Sequence, residues 1–227
     1  MAAGTHYRRY ETCYRDGVSE LPVFALQETV VFPGMTIPLY VFEERYKLLV
    51  RQSVEVESGR FIITLQRPQA EVSDIEADFY RIGTFADILS ASENADGTFD
   101  IVVHGQDRCK LKVTRRERVP EAGGQKRPLA YSSVCPYPLE RSDPNLERVA
   151  AWDCIDTFRS YAREVLAPEA AKKVEAAIPD DLLYQASFVC ANVRVPAVSK
   201  QVMLEATSLL GRFQVARKLM IEQLDSK

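Results

Sequence analysis

The apolar positions of this chain follow two periods, and the change from one to the other divides it. Leu21 to Leu26 (LPVFAL) is an apolar extended run whose Pro22, lacking an amide hydrogen, suits the start or edge of a sheet, and it predicts a first strand. Val30, Val31 and Phe32 lead into Pro33-Gly34, where proline presets φ and glycine accepts a positive φ, so a type II turn reverses the chain. Met35 to Val41 predicts a second strand. At Phe42 the period moves to 3.6, which places Phe42, Tyr46, Leu49, Val50 and Val54 on one side of a helix, with Glu43 and Glu44 in its first turn.

Further strands follow. Arg60 to Gln66 is a β-branched buried run, Arg67 to Phe79 a polar loop, and Tyr80 to Ser90 a strand in which Gly83 marks a bulge or a close backbone approach. Asn94 to Gly97 supplies hairpin turn chemistry before the alternating Phe99, Ile101 and Val103. His104 to Asp107 is expected to break that run. Cys109, Leu111 and Val113 then resume it, with Arg108, Lys110 and Lys112 on the opposite face, and Leu129 to Leu139 is a last extended segment beyond a Gly123-Gly124 loop. Six or seven short strands around one helix bury both sheet faces only if the sheet curls, so a small, partly open β-barrel is expected.

From Asp143-Pro144 onward the period is helical, an aspartate capping a helix whose first position suits proline. Trp152, Ile155, Phe158, Ala162 and Val165 step along what reads as a buried face, with Arg148, Asp153, Arg159 and Arg163 outside. Asp180 or Asp181 opens a helix through Asn192. Ser199 is expected to cap the next, and a last helix buries Leu209, Phe213, Ala216, Met220 and Leu224. The expected class is α+β: residues 1–20 a partly ordered leader, 21–139 a pseudo β-barrel with one packed helix, and 143–227 an all-α helical bundle.

Composition narrows the function classes. The 227 residues are 46% hydrophobic and 27% charged, an ordinary globular balance. A net charge of −3 gives no general attraction to nucleic acid or anionic membrane. No apolar run approaches the roughly 20 residues of a membrane span, and the first twenty residues lack a secretion signal, so a cytoplasmic location with no membrane partner is expected. Cys13, Cys109, Cys135, Cys154 and Cys190 are scattered without a C-x-x-C pair and read as packed free thiols. The two histidines, His6 and His104, have no ligand at helical spacing. Neither metal nor any other cofactor is implied.

The order LPVFAL, VVFPGM, IPLYVF and FEERYKLL resembles the opening of the N-terminal, substrate-binding domain of Lon-type ATP-dependent proteases and of its stand-alone and RING-associated relatives, in which a Phe-Glu-x-Arg-Tyr run starts the first helix. Phe42-Glu43-Glu44-Arg45-Tyr46 matches that run, and Gly83-Thr84, Asp96-Gly97 and Gly105 match the middle of the same domain. Ala25 and Gln27-Glu28 depart from it, standing where the family usually has a proline and an arginine pair. The resemblance implies a PUA-like barrel, and binding of protein or unfolded polypeptide segments, with a protease or a ubiquitin-pathway protein as further partner.

Chemistry is sparse. No Gly-Lys dipeptide occurs, so the G-x-x-x-x-G-K-S/T phosphate loop cannot be built, and no nucleophile and base stand in a catalytic spacing. The chain reads as a non-catalytic interaction module with no catalytic residue. Strand edges beside Pro22 and Pro38 are candidates to accept an extended peptide, with Met35, Tyr40 and Phe42 near that site. RNA or other nucleic-acid binding through Arg108, Lys110 and Lys112 is the alternative, opposed by the absence of interleaved aromatics for base stacking.

Overall fold

Alternation from Leu21 and the Pro33-Gly34 turn build the first corner of the molecule. In the computed structural model, which describes residues 20–55, 59–67, 79–119 and 128–226, β1 (Leu21–Leu26) and β2 (Thr36–Val41) flank that turn. Gly34 has φ 84° and the Met35 amide donates to Phe32 O at 3.1 Å, the geometry a type II turn demands. Helix α1 (Glu44–Glu55) follows, then β3 (Arg60–Leu65), β4 (Ile82–Glu93), β5 (Phe99–Glu117) and β6 (Leu129–Pro136). The α1 helix begins two residues later than its apolar period suggests. Glu43 O caps it by accepting from the Tyr46 and Lys47 amides, and Phe42 and Val54 stay exposed while Tyr46, Leu49, Val50 and Ser53 face inward.

The strand order is β2-β5-β4-β3-β1-β6, and β6 pairs with β5 again. That second pairing closes β5, β4, β3, β1 and β6 into a ring and leaves β2 attached outside it. All pairings are antiparallel except β1 with β3. Val23, Ile62, Phe85, Cys109, Leu111, Ala130 and Val134, drawn from all five ring strands, form one buried cluster. A second cluster joins Phe24, Phe61 and Ile63 to Tyr46, Leu49 and Val50 of α1 and to Val41, Ile101 and Val103 on the β2 side. Both faces of β1 and β3 are therefore buried. The α+β class and the curled sheet expected from the residue pattern are what this chain adopts.

His104 to Asp107 do not break the strand, contrary to expectation. β5 runs unbroken from Phe99 to Glu117 and bends where its register against β4 shifts between Thr84 and Ala86. Gly105 permits the bend: a Cβ there would meet Phe32 O at 2.7 Å, and its own backbone bonds Gly34 N and Met35 O. One strand can then pair with β2 before the bend and β6 after it. At Gly83 a Cβ would fall 2.6 Å from Ile63 O, so the close approach expected there is real.

The described residues up to 138 and those from 139 onward form two compact units. In the second, α2 (Pro144–Val165), α3 (Pro168–Ala176), α4 (Leu182–Asn192), α5 (Ala197–Glu205) and α6 (Leu209–Asp225) follow short connections. Asp143 caps α2 by accepting from Asn145 N at 2.8 Å, and Asp181 caps α4 through Leu183 N at 2.9 Å. Ser199 caps nothing. Pro196, with its φ preset, precedes a helix already begun at Ala197, and Ser208 is the hydroxyl cap, on Gly211 N at 3.0 Å. Trp152 also departs from expectation. The buried side of α2 runs through Glu147, Ala151, Cys154, Ile155, Phe158 and Tyr161, which turns Trp152 outward at 70% exposure.

Two buried charges stiffen this unit. Glu147 accepts from Arg141 Nη2 at 2.7 Å, from Arg141 Nε at 2.9 Å and from Ser142 N at 2.7 Å, and these bonds, the arginine's foremost, hold its carboxyl below the ordinary range. Arg212 donates to Met203 O and Leu204 O at 3.1 Å, satisfying the C-terminal carbonyls of α5, and its burial lowers its pKa to about 10. The expected leader apart from Glu20, the polar loop apart from Arg67 and Phe79, and Gly123-Gly124 lie outside the described residues.

Candidate functional site

The open flank of β2 is where backbone chemistry remains available. β2 pairs with β5 through Thr36–His104, Pro38–Val102, Tyr40–Asp100 and the residues between, and among the described residues no strand lies on its other side. Gly105 N donates to Met35 O at 2.8 Å, which fixes the phase of the ladder. Antiparallel alternation then makes Ile37, Leu39 and Val41 the residues bonded to β5 and turns the backbone groups of Thr36, Pro38 and Tyr40 to the open side. Pro38, with no N–H to give, sits at a position where the ladder needs none. The open edge offers the Thr36 and Tyr40 amides and the carbonyls of Thr36, Pro38 and Tyr40.

Side chains reinforce the edge. Tyr40 and Phe42 are 56% and 62% exposed, and their rings lie 6.1 Å apart at 30°. Two aromatics exposed side by side beside unpaired backbone are an unusual surface for a protein to leave uncovered. Thr36 Oγ1 and His104 Nδ1 are hydrogen-bonded at 2.9 Å, steadying the far end of the same face. Met35 is not part of this surface. It is half-buried against the core, and its Sδ accepts from Phe32 N at 3.2 Å. Of the three residues expected at a peptide site, the fold joins Tyr40 to Phe42 and turns Met35 inward.

The basic strand divides too. Lys110 and Lys112 are exposed and border an open cleft of about 310 Å3 with Tyr80 and Arg81. Arg108 is only 3% exposed, its guanidinium 4.8 Å from the centre of the Tyr137 ring. Arg108 and Lys110 stay in one register against β4, and Tyr137 covers the first of them, so the expected row of three exposed cations is an exposed pair.

Nucleophile chemistry finds no support among the described residues. Cys109, Cys135, Cys154 and Cys190 are buried free thiols, and burial pushes the Cys190 thiol up to about 12 and those of Cys109 and Cys154 upward as well. Cys13 and His6 lie outside the described residues. Among the described residues no group of three His, Cys, Asp or Glu side chains could hold a metal, and no helix is long and apolar enough to cross a membrane. A further cleft of about 650 Å3, between α2 and α6, is lined by Leu146, Val149, Phe213 and Ile221 with Asp153 and Arg217. Of its lining, Phe213 and Asp153 are placed by helical period, whereas Leu146 and Val149 lie off the main buried stripe of α2.

The family model described as the ATP-dependent protease La (LON) substrate-binding domain matches residues 20–222. The chain is 24% identical over 210 residues to the Lon protease of Elusimicrobium minutum (strain Pei191), covering 90% of this chain and 24% of that protein. It is 29% identical over 214 residues to Lon protease 2 of Myxococcus xanthus, covering 91% and 24%. It thus spans about a quarter of the length of the curated relatives it matches. Its fold resembles that of the N-terminal domain of Mycobacterium avium complex Lon protease, with a TM-score of 0.68 at 17% identity, over 90% of this chain and 99% of that one.

Proposed function

This chain belongs to the Lon substrate-binding domain family, and from that premise we infer that it captures extended or unfolded polypeptide as an added strand on the open side of β2. The observation that carries the reading is an edge with the outward amides of Thr36 and Tyr40 and the outward carbonyls of Thr36, Pro38 and Tyr40, beside the exposed Tyr40–Phe42 pair. Backbone bonding of this kind recognises any extended chain, while the aromatic pair selects for apolar side chains at alternate positions of the guest. The reading is of a module that binds polypeptide and does not itself cleave it. The cytoplasm, the location expected from the sequence, is where it would meet such chains. A separate protease or a ubiquitin-pathway protein is the class of partner that would act on the captured chain.

The test is fluorescence anisotropy with labelled unstructured peptides carrying aromatic residues at alternate positions. Binding at micromolar concentration is expected, and it should weaken when alternate backbone amides of the peptide are N-methylated. Equal affinity for methylated and unmethylated peptides, or for wild type and Tyr40→Ala/Phe42→Ala, would remove the reading.

A further inference from the structure

Arginines from three separate elements of the first unit are held in one way, each between an aromatic ring and a carboxylate. Arg115 on β5 lies 3.5 Å from the centre of the Tyr131 ring and donates to Glu20 Oε2 at 2.8 Å. Arg60 on β3 lies over Phe85 and donates to Asp87 Oδ1 at 2.9 Å. Arg51 on α1 lies over Phe99 and donates to Glu93 Oε1 at 2.9 Å, and Glu93 and Phe99 stand opposite one another in the β4–β5 ladder. A guanidinium suits both neighbours at once, because it is flat enough to stack on a ring while its N–H groups donate at the edge to carboxylate oxygens.

The open edge repeats two members of that arrangement. Asp100 on β5 is the direct partner of Tyr40, as Glu93 is of Phe99. By the phase of the ladder Tyr40 and Asp100 form a non-hydrogen-bonded pair, whose side chains stand close together on one face. Both are exposed. Among the described residues the Asp100 carboxylate accepts from Asn94 Nδ2 at 3.0 Å and pairs with no cation, and no guanidinium lies over Tyr40.

Resting on the capture reading above, we propose that the third member comes from the guest: the strand added to β2 carries an arginine opposite Tyr40, its guanidinium on the Tyr40 ring and its N–H groups on Asp100. A residue so placed has its Cα about 10 Å from that of Asp100, two strand spacings away, with its side chain on the same face. Only a long side chain crosses Tyr40 to reach the carboxylate. The guest residues two to either side lie towards Pro38 and towards Phe42, so the preferred segment is an arginine flanked at alternate positions by apolar side chains. Backbone bonding admits any extended chain, and Asp100 is the residue that sets which of them is preferred.

The experiment is fluorescence anisotropy of the full chain with labelled unstructured peptides of one aromatic-containing sequence, whose central residue is arginine, citrulline, lysine or glutamate. Citrulline keeps the shape of arginine and removes its charge. The arginine peptide should bind about fivefold tighter than the citrulline peptide, with lysine between them because it keeps the charge and loses the flat fork. In Asp100→Asn, which retains an oxygen for Asn94 Nδ2, the advantage should fall below about twofold, and in Asp100→Arg the glutamate peptide should bind tighter than the arginine peptide. Circular dichroism verifies that each variant is folded. Equal affinity of the arginine and citrulline peptides for the wild type would overturn the proposal and leave peptide capture standing. An arginine advantage undiminished in Asp100→Asn would do the same. Binding of none of the four peptides would overturn both readings, which separates failure here from failure of peptide capture.

Discussion

At one end of the six-stranded sheet β6 turns back onto β5 from Cys109–Pro136 to Glu117–Leu129, whereas at the other end β2 meets β5 along one side only. The closed end consumes its backbone hydrogen bonds internally and buries side chains on both faces. The open end spends half of its backbone groups on β5 and leaves the other half, with two aromatics, to solvent. An unpaired strand edge invites indiscriminate self-pairing, and Pro38 limits that here by removing one outward donor. The lesson is that closure buries backbone and side chains while the lack of closure leaves an open edge, the surface proposed for peptide capture, both from one strand, β5, that serves each end in turn.

The contrast can be broken most severely at the closed end. Gly83→Val puts a side chain within 2.6 Å of Ile63 O, a backbone atom that cannot step aside, and should cost about 3 kcal/mol or more. Thermal denaturation would register it, and a change of a few tenths would deny that the close approach matters. Next in size, Arg141→Gln leaves the buried Glu147 carboxylate without its guanidinium. Because Arg141 is half exposed, the cost falls short of that for a fully buried pair, at about 2 kcal/mol, with peptide binding untouched.

The same pair sets a pH dependence. Glu147 has a folded pKa below its unfolded value, so its contribution is full above the ordinary carboxylate range and is lost as pH falls through the lowered folded value. Acid titration of stability should therefore be flatter in Arg141→Gln than in wild type. An equally steep acid limb in both would assign the effect elsewhere.

At the open end, Tyr40→Ala and Phe42→Ala should each weaken peptide binding about fivefold to tenfold while leaving the melting temperature nearly unchanged, because both rings are already largely in water. Pro38→Val restores an outward amide and should leave stability within about 0.5 kcal/mol while raising peptide affinity or self-association, measurable by anisotropy and light scattering. The smallest effect is expected from Lys110→Glu/Lys112→Glu, with peptide affinity changed less than about twofold and little salt dependence. A steep fall of affinity with salt in the wild type would instead revive the basic strand as a site.

Much of the barrel was readable because its signals are local. The Pro33-Gly34 turn, the Asn94–Gly97 hairpin with Gly97 at φ 76°, the alternation of β1 and β5, and the Asp143 and Asp181 caps depend on neighbours a few residues away. Tyr40 and Phe42, proposed for the edge from their place beside Pro38, do lie exposed side by side. Met35 was not separable from them, since one residue of phase at the Gly34 turn decides whether a side chain meets core or solvent. Arg108 reads as exposed by its alternation with Lys110 and Lys112, and it is buried because Tyr137, 29 residues further on, lies over its guanidinium. Trp152 was read as core because a large apolar residue at helical spacing usually is, and its neighbours in sequence do not say which side of α2 the other helices take.

Residue order by itself determined the α+β class, the principal turns, most helix starts and the absence of a phosphate loop, because these follow from the backbone preferences of a few adjacent residues. Only the tertiary structure decided that β6 closes on β5 while β2 does not, that Arg108 lies under Tyr137, and that Trp152 faces water. Each of those depends on which distant segment takes a hydrogen-bonding edge or an apolar face, and that choice is set by burial and pairing summed over many residues far apart in sequence.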